Sequence, residues 1–214
     1  MPFSKVKILP PSAPIPFIPD NVEERENLFF DRRKNSSILL NILAGYKTYS
    51  YEDVFARVKK FVPNSFDVCI TSSGLFDRKL YDIAENYGWS YLSTARNSIP
   101  GVQNLVMPLY ENAQMIFKMD EDIFVTQNCF EKLLQTFNHC QTKGRYNVGF
   151  VTPLISINGY GHVRILEKLG LDEYYEEKFE KIICACQHER MLHKSPEVAK
   201  FFWGEGNIVP SIDI

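Results

Sequence analysis

The chain has 214 residues, of which 45% are hydrophobic and 23% charged, and these ordinary globular values predict one domain with a sizeable core. The formal net charge of -2 comes without a segment dominated by Lys and Arg, which argues against a nucleic-acid partner. No run approaches the ~18 consecutive apolar residues that a membrane span needs.

The start of the chain and the spacing of its cysteines indicate the cellular compartment in which the protein is expected. Residues 1–20 lack the apolar core of a signal peptide, and the five cysteines are irregularly spaced. We therefore expect reduced thiols and a cytoplasmic protein.

The first 34 residues are predicted to form an N-terminal arm. Five prolines between residues 10 and 19 exclude a helix there and predict an extended segment. The charged stretch that follows, residues 21–34, is expected to form a short helix.

Residues 35–140 alternate between two periodicities. Short apolar runs predict strands, and 3.6-residue periodicity predicts helices. The strands are expected over residues 36–45, 66–71, 89–93 and 114–119, and the helices over 51–61, 77–87 and from Pro100 onward. This alternation predicts an α/β fold, with helices on both faces of the sheet. Ligands of such sheets bind beyond the carboxyl ends of the strands.

Residues 141–214 are less regular. A helix over residues 130–137 leads into this part, where we expect a strand over 148–152, a flexible loop over 157–161, and a long helix from Asp172 to about residue 193. The apolar end of the chain suggests that further domains follow it.

An acidic triplet, Asp120-Glu121-Asp122, stands where the fourth predicted strand ends. At a strand-to-loop corner both aspartates can reach one polar site, and carboxylate oxygens suit Mg²⁺ or Mn²⁺. The alternative is a solvated acidic loop that caps the following helix.

The context of this triplet resembles a known family. Residues 96–104, followed by the strand and triplet of residues 116–122, look like the donor-binding half of GT-A glycosyltransferases, especially the family-2-like group. Asn104 stands sixteen residues before Asp120, close to the spacing in that group. The resemblance covers residues 37–137, about half of the chain, and implies a GT-A (Rossmann-like) α/β fold, with a mixed, mostly parallel sheet flanked by helices on both faces.

The resemblance implies a role for each matching residue. Residues 44–46 would cradle the nucleotide base, and Ser72 and Ser73 would lie near the base or ribose, although the Asp that the family usually has there is absent. Asp120 would contact the ribose or the Mn²⁺ (or Mg²⁺) ion, Asp122 would bind the ion directly, and Glu121 would face away from it. The complete set of donor-binding candidates is Ala44, Gly45, Tyr46, Ser72, Ser73, Arg96, Gln103 (where the family often has Arg), Asn104, Met119, Asp120 and Glu121.

An inverting enzyme of this kind also needs a carboxylate base for the acceptor hydroxyl. Glu205 is the first candidate, because small neighbours and Trp203 leave room for an acceptor and offer it a stacking face. Asp213 is the second candidate and Glu189 the third. A retaining enzyme would need no such base.

These features together predict a metal-dependent hexosyltransferase. It would move a sugar from a nucleotide-sugar donor, most naturally a UDP-sugar, to a glycan or glycoprotein acceptor. A domain of this size also resembles the N-terminal glycosyltransferase domain of multidomain proteins from large algal viruses. Two alternatives stay open: a sugar-phosphate nucleotidyltransferase, whose Gly-rich basic loop is missing after the first strand, and a non-catalytic nucleotide- or carbohydrate-binding module.

Overall fold

A computed structural model of the chain describes residues 5–143, 147–153, 159–179 and 197. The chain divides into two compact units, residues 1–130 and 131–214. The four strands predicted over residues 36–119, the helices between them and the acidic triplet all belong to the first unit.

The first unit contains a six-stranded sheet in the order β1-β2-β5-β4-β3-β6. Its strands are β1 (Val6–Leu9), β2 (Asn27–Phe30), β3 (Ile38–Leu43), β4 (Asp67–Ser72), β5 (Ser90–Ser93) and β6 (Met115–Asp120). Strands β3 to β6 are mutually parallel, whereas β2 pairs antiparallel with β5 and parallel with β1. The predicted α/β class and mostly parallel mixed sheet are therefore confirmed.

Three helices connect the parallel strands, and their ends follow local sequence signals. They are α1 (Tyr51–Phe61), α2 (Arg78–Tyr87) and α3 (Ile99–Leu109). Asp77 caps α2 by accepting from Leu80 N at 3.2 Å, and Gly88 ends it with φ 70°. Ser98 caps α3 in the same way, accepting from Gly101 N at 3.1 Å.

The helices cover both faces of the sheet. Neighbouring residues of a strand point to opposite faces, so Phe29 and Phe30 of β2 contact different helices. On one face, Val106 of α3 packs in a buried cluster with Phe29 of β2 and Leu92 of β5. On the other face, the ring of Tyr81 of α2 lies 4.7 Å from that of Phe30, centroid to centroid. The sheet is thus the middle layer, and its strand ends form an edge that the helices leave open.

The helix predicted over residues 21–34 is wrong apart from one 3-10 turn, Val22–Glu24. The segment instead contributes β2, all four residues of which are buried. Phe29 and Phe30 fill opposite faces of the sheet, and the charged residues that suggested a helix lie on either side of them. The proline-rich segment contains no helix, as predicted, but it begins with a turn in which Ala13 N donates to Pro10 O at 2.9 Å. Just before it, β1 pairs with β2.

In the second part of the chain, the structure describes α4 (Cys129–Lys143), α5 (Gly159–Leu169) and α6 (Asp172–Lys178). The strand predicted over residues 148–152 is wrong, because residues 147–153 have no regular structure and Phe150 is 82% exposed. The loop predicted over 157–161 is also wrong from Gly159 onward, where α5 begins. The long helix predicted from Asp172 ends at Lys178, and its predicted continuation over residues 180–193 lies outside the described residues.

No helix within the described ranges is long and apolar enough to cross a membrane.

Gly74 lies where the loop after β4 approaches Asn97, the residue before the cap of α3, and Gly88 is a comparison position without such a neighbour. Gly74 has φ 77°, and a Cβ there would lie 2.6 Å from the backbone N of Asn97. Gly88 has a similar φ of 70° with open space around it. We expect Gly74→Ala to lower the free energy of unfolding by about 2–4 kcal/mol, and Gly88→Ala by about 1–2 kcal/mol for the left-handed conformation alone. Urea denaturation measures both, and equal losses would contradict the close approach.

Candidate functional site

The strand order reverses between β3 and β6, which are neighbours in the sheet. After β3 the chain adds β4 and then β5 on one side, and it crosses back to add β6 on the other. In open α/β sheets ligands bind outside the carboxyl ends of the strands at such a reversal, and we call this place, at the ends of β3 and β6, the crevice. The acidic triplet begins at the last residue of β6 and therefore lies at this point.

Asp120 is exposed and lies at the end of the β6 edge strand. Residues two apart in a strand share a face, so Lys118 lies beside it, and its Nζ is 3.1 Å from Asp120 Oδ1. Met119 between them is buried and points to the opposite face. Its side chain therefore packs in the core, and only its backbone is near the crevice.

Glu121 is only 6% exposed and makes the most contacts of the three. Its carboxylate accepts hydrogen bonds from Gly45 N at 2.6 Å, Tyr46 N at 3.1 Å and Lys47 N at 2.9 Å. Its backbone carbonyl accepts from Ser50 Oγ at 2.9 Å. The loops after β3 and β6 are thus joined by one buried carboxylate. Glu121 therefore has a structural role that sequence reasoning missed, and its carboxylate faces the β3 loop.

Asp122 turns back toward the β3 loop and pairs with Lys47 through Oδ2 and Nζ. The carboxylate, chiefly through this hydrogen bond, raises the pKa of the Lys47 ammonium above its usual value. Both aspartates of the triplet therefore have a lysine as counter-ion, and neither is buried. Sequence reasoning missed both lysines, although the i, i+2 spacing of Lys118 and Asp120 was a usable signal.

Five of the predicted donor-binding residues lie at the end of β4 or in the loops after β3 and β4: Ala44, Gly45, Tyr46, Ser72 and Ser73. Ala44 is buried, and its N–H donates to Thr71 O at 2.8 Å, continuing the sheet. Ser72 is fully buried and donates to Leu75 O at 2.8 Å, so it holds the loop from within. Tyr46 is 61% exposed, and its hydroxyl donates to the carbonyl of Ser73 at 2.9 Å. The aromatic ring of Tyr46 is thus accessible and fixed at its far end.

The remaining predicted residues belong to the β5–α3 segment. Arg96 and Asn104 are both exposed, the first before α3 and the second on it. Gln103 is half-buried, and its Oε1 accepts from Asn41 Nδ2 of β3 at 3.1 Å. The Gln103 side chain therefore contacts the sheet, and a direct contact of any of these three with a ligand stays a prediction.

The proposed bases Glu205, Asp213 and Glu189 all lie outside the described residues. Their assignment stays a prediction from the sequence.

A cavity of about 110 Å³ lies elsewhere in the first unit, between the proline-rich arm and the end of β5. Arg25 lines it, and this guanidinium donates to the carbonyls of Pro19, Asp20 and Gly74. Arg25 therefore attaches the arm to the loop after β4. The volume suits a few water molecules and is too small for a nucleotide, so we take the open crevice at the acidic triplet as the candidate site.

The carboxylates of this crevice are an incomplete ligand set for a metal ion. Within the described part of the chain, no three His, Cys, Asp or Glu side chains come together as a metal-binding group. Asp120 and Asp122 each have a hard oxygen donor near the end of β6, and each is paired with a lysine. To hold Mg²⁺ or Mn²⁺ they would need phosphate oxygens and water as further ligands.

No model of a known protein family matches the chain, and no curated protein matches its sequence.

Glu121 provides a direct test of how the crevice is built. Glu121→Gln keeps the size of the side chain but puts an NH₂ donor beside backbone N–H donors. We expect a loss of about 2–4 kcal/mol in the free energy of unfolding, because buried amides lose a charged acceptor. Glu52→Gln, which removes an exposed partner of Lys79, is the control and should cost less than about 1 kcal/mol. Equal effects of the two substitutions in urea denaturation would contradict the role of Glu121.

Proposed function

We propose that this chain is a metal-dependent glycosyltransferase with a GT-A type donor site. It would transfer a sugar from a nucleoside diphosphate sugar, most naturally a UDP-sugar, to a glycan or glycoconjugate acceptor. The observation that supports this most is the position of Asp120 and Asp122 at the carboxyl end of β6, where the strand order reverses.

The charges around this corner suit a diphosphate. Asp120 and Asp122 can hold the cation, and Lys118 and Lys47 stand beside them as ammonium groups. When a cation takes the carboxylates, each lysine is free to turn toward the phosphate oxygens. A bound divalent cation would neutralise the negative charge that develops on the departing diphosphate.

The exposed ring of Tyr46 supports the nucleotide part of the proposal. Its hydroxyl is anchored on Ser73, so the ring has a fixed position at the end of β3, the strand beside β6. Aromatic faces in such positions stack on nucleobases. We assign base stacking to Tyr46 and cation binding to Asp120 and Asp122.

The transfer itself breaks the bond between the anomeric carbon and the diphosphate oxygen and forms a bond to the acceptor oxygen. The acceptor hydroxyl proton then needs a base in an inverting enzyme. Glu205 remains our first candidate for this base, with Asp213 and Glu189 after it. The structure of the described residues bears on the donor side alone.

One feature of the β3 loop argues against the nucleotidyltransferase alternative. A phosphate-binding loop in that position would direct its backbone N–H groups at the ligand. Here the N–H groups of residues 45–47 already donate to Glu121. Phosphates must therefore be held by the cation and side chains, as the glycosyltransferase proposal requires.

Calorimetric titration of UDP, with Mn²⁺ and with EDTA, tests the proposal. We expect binding that requires Mn²⁺ and that Asp122→Asn weakens by about 10- to 100-fold, because a ligand of the cation is removed. Asp82→Asn is the matched control, since Asp82 is half-exposed on α2, away from the triplet, and pairs with Arg78 at 2.8 Å. This control should bind as the wild type does.

Three results would speak against parts of the proposal. Absence of UDP binding, or equal binding with EDTA, would contradict the donor site. Equal binding by Asp122→Asn and wild type would contradict the assigned cation ligand. Binding without Mn²⁺-dependent hydrolysis of a UDP-sugar would favour the non-catalytic module instead.

A further inference from the structure

Ser73, at the end of β4, fixes two neighbouring groups on the rim of the crevice. Its carbonyl accepts from the Tyr46 hydroxyl at 2.9 Å. Its Oγ accepts from Ser98 N at 2.7 Å and lies 3.1 Å from Asn97 Oδ1. Ser73 itself is only 1% exposed, so it acts from beneath the surface on Tyr46 and Asn97, which are both exposed.

The hydrogen bonds orient the Asn97 amide. Because Ser98 N already supplies a proton to Ser73 Oγ, the hydroxyl proton of Ser73 is available for Asn97 Oδ1. The amide oxygen therefore points to Ser73, and Nδ2, with its two protons, points away from it. Asn97 also lies against Gly74, where a Cβ would be 2.7 Å from the Asn97 Cβ. The side chain thus presents a hydrogen-bond donor in a restricted position.

The hydroxyl of Tyr46 and the amide of Asn97 are both bound to Ser73, at its carbonyl and at its Oγ respectively. A base that stacks on Tyr46 would present its edge on the side of the rim where Asn97 lies. Uracil O4 and guanine O6 accept a hydrogen bond at that edge, whereas cytosine N4 and adenine N6 donate one. A fixed amide donor distinguishes these two classes of base.

We propose that Asn97 is a specificity-determining residue, which selects donors whose nucleobase carries a carbonyl at the position of uracil O4 or guanine O6 over those that carry an amino group at that position. This inference rests on the proposed function, because it assigns the base contact of the same nucleotide site. It names the chemistry of the accepted nucleotides as keto bases, uracil or guanine, rather than cytosine or adenine.

The test compares affinities within pairs of equal size, UDP with CDP and GDP with ADP, in the presence of Mn²⁺. We expect the wild type to bind the keto member of at least one pair about tenfold more tightly. The carbonyl of that base accepts a hydrogen bond from the Asn97 amide, whereas the amino group of the other base is a donor that faces the amide donor. Asn97→Asp replaces the donor by an acceptor and should abolish or reverse that preference. Both nucleotides of a pair carry the same diphosphate, so its repulsion by the new carboxylate weakens both equally. The ratio of the two affinities is therefore independent of this repulsion.

Three further variants separate the role of Asn97 from effects on folding and charge. Asn97→Ala removes the donor without adding charge and should bring the ratio close to one. Asn112→Asp, an equal change at an exposed site just before β6 begins, should keep the wild-type ratio. Ser73→Ala frees the amide to rotate and should lower the ratio, and an unchanged ratio in this variant would overturn the assigned orientation.

The outcomes separate the two proposals. If nucleoside diphosphates bind but Asn97→Asp and Asn97→Ala keep the wild-type ratio, or the wild type shows no preference, the inference about Asn97 is wrong and the glycosyltransferase proposal stands. If no nucleoside diphosphate binds, the proposed function is wrong and the inference with it.

Discussion

The crevice depends on one buried carboxylate, that of Glu121, and on the three backbone N–H groups that donate to it. Gly45 supplies the first of these from a conformation with φ 146°, which disfavours residues with a side chain. This interaction joins the loops after β3 and β6 across the reversal in strand order. Because Glu121 makes these bonds, its two neighbours in the triplet can lie at the surface, where carboxylates can reach a ligand.

A second set of bonds completes the opposite side of the rim. Ser73 joins the loop after β4 to the start of α3, and Gly74 permits their close approach. Tyr46 connects this side to the Glu121 side through its hydroxyl. The four strand ends are therefore one connected structure, in which charged groups stand at β6 and an aromatic ring and an amide stand at β3 to β5. A ligand with a diphosphate at one end and a base at the other matches this distribution.

Much of the fold could be predicted because its signals are local. The helical periodicity of residues 51–61 and 77–87 depends only on neighbouring residues, and the structure has α1 and α2 where they were expected, with Asp77 as the cap of α2. Strand β2 was missed because its burial depends on distant partners in β5. The apolar run over residues 148–152 was wrongly predicted to be a strand, because no strand of the described residues pairs with it.

For the site, the sequence predicted the position of the acidic triplet at a strand end. The orientation of Glu121 toward the β3 loop depends on the backbone of Gly45, which the spacing of residues alone does not reveal.

The central claim is that the crevice at the ends of β3 to β6 binds a nucleoside diphosphate together with a divalent cation. Backbone amide NMR shifts, recorded while UDP is added in the presence of Mg²⁺, test this most directly, and replacing Mg²⁺ by Mn²⁺ then locates the ion by line broadening. We expect shifts confined to residues 44–50, 72–74, 94–98 and 118–124, with the strongest broadening at Asp120 and Asp122. Shifts concentrated elsewhere, or broadening remote from these two aspartates, would contradict the account.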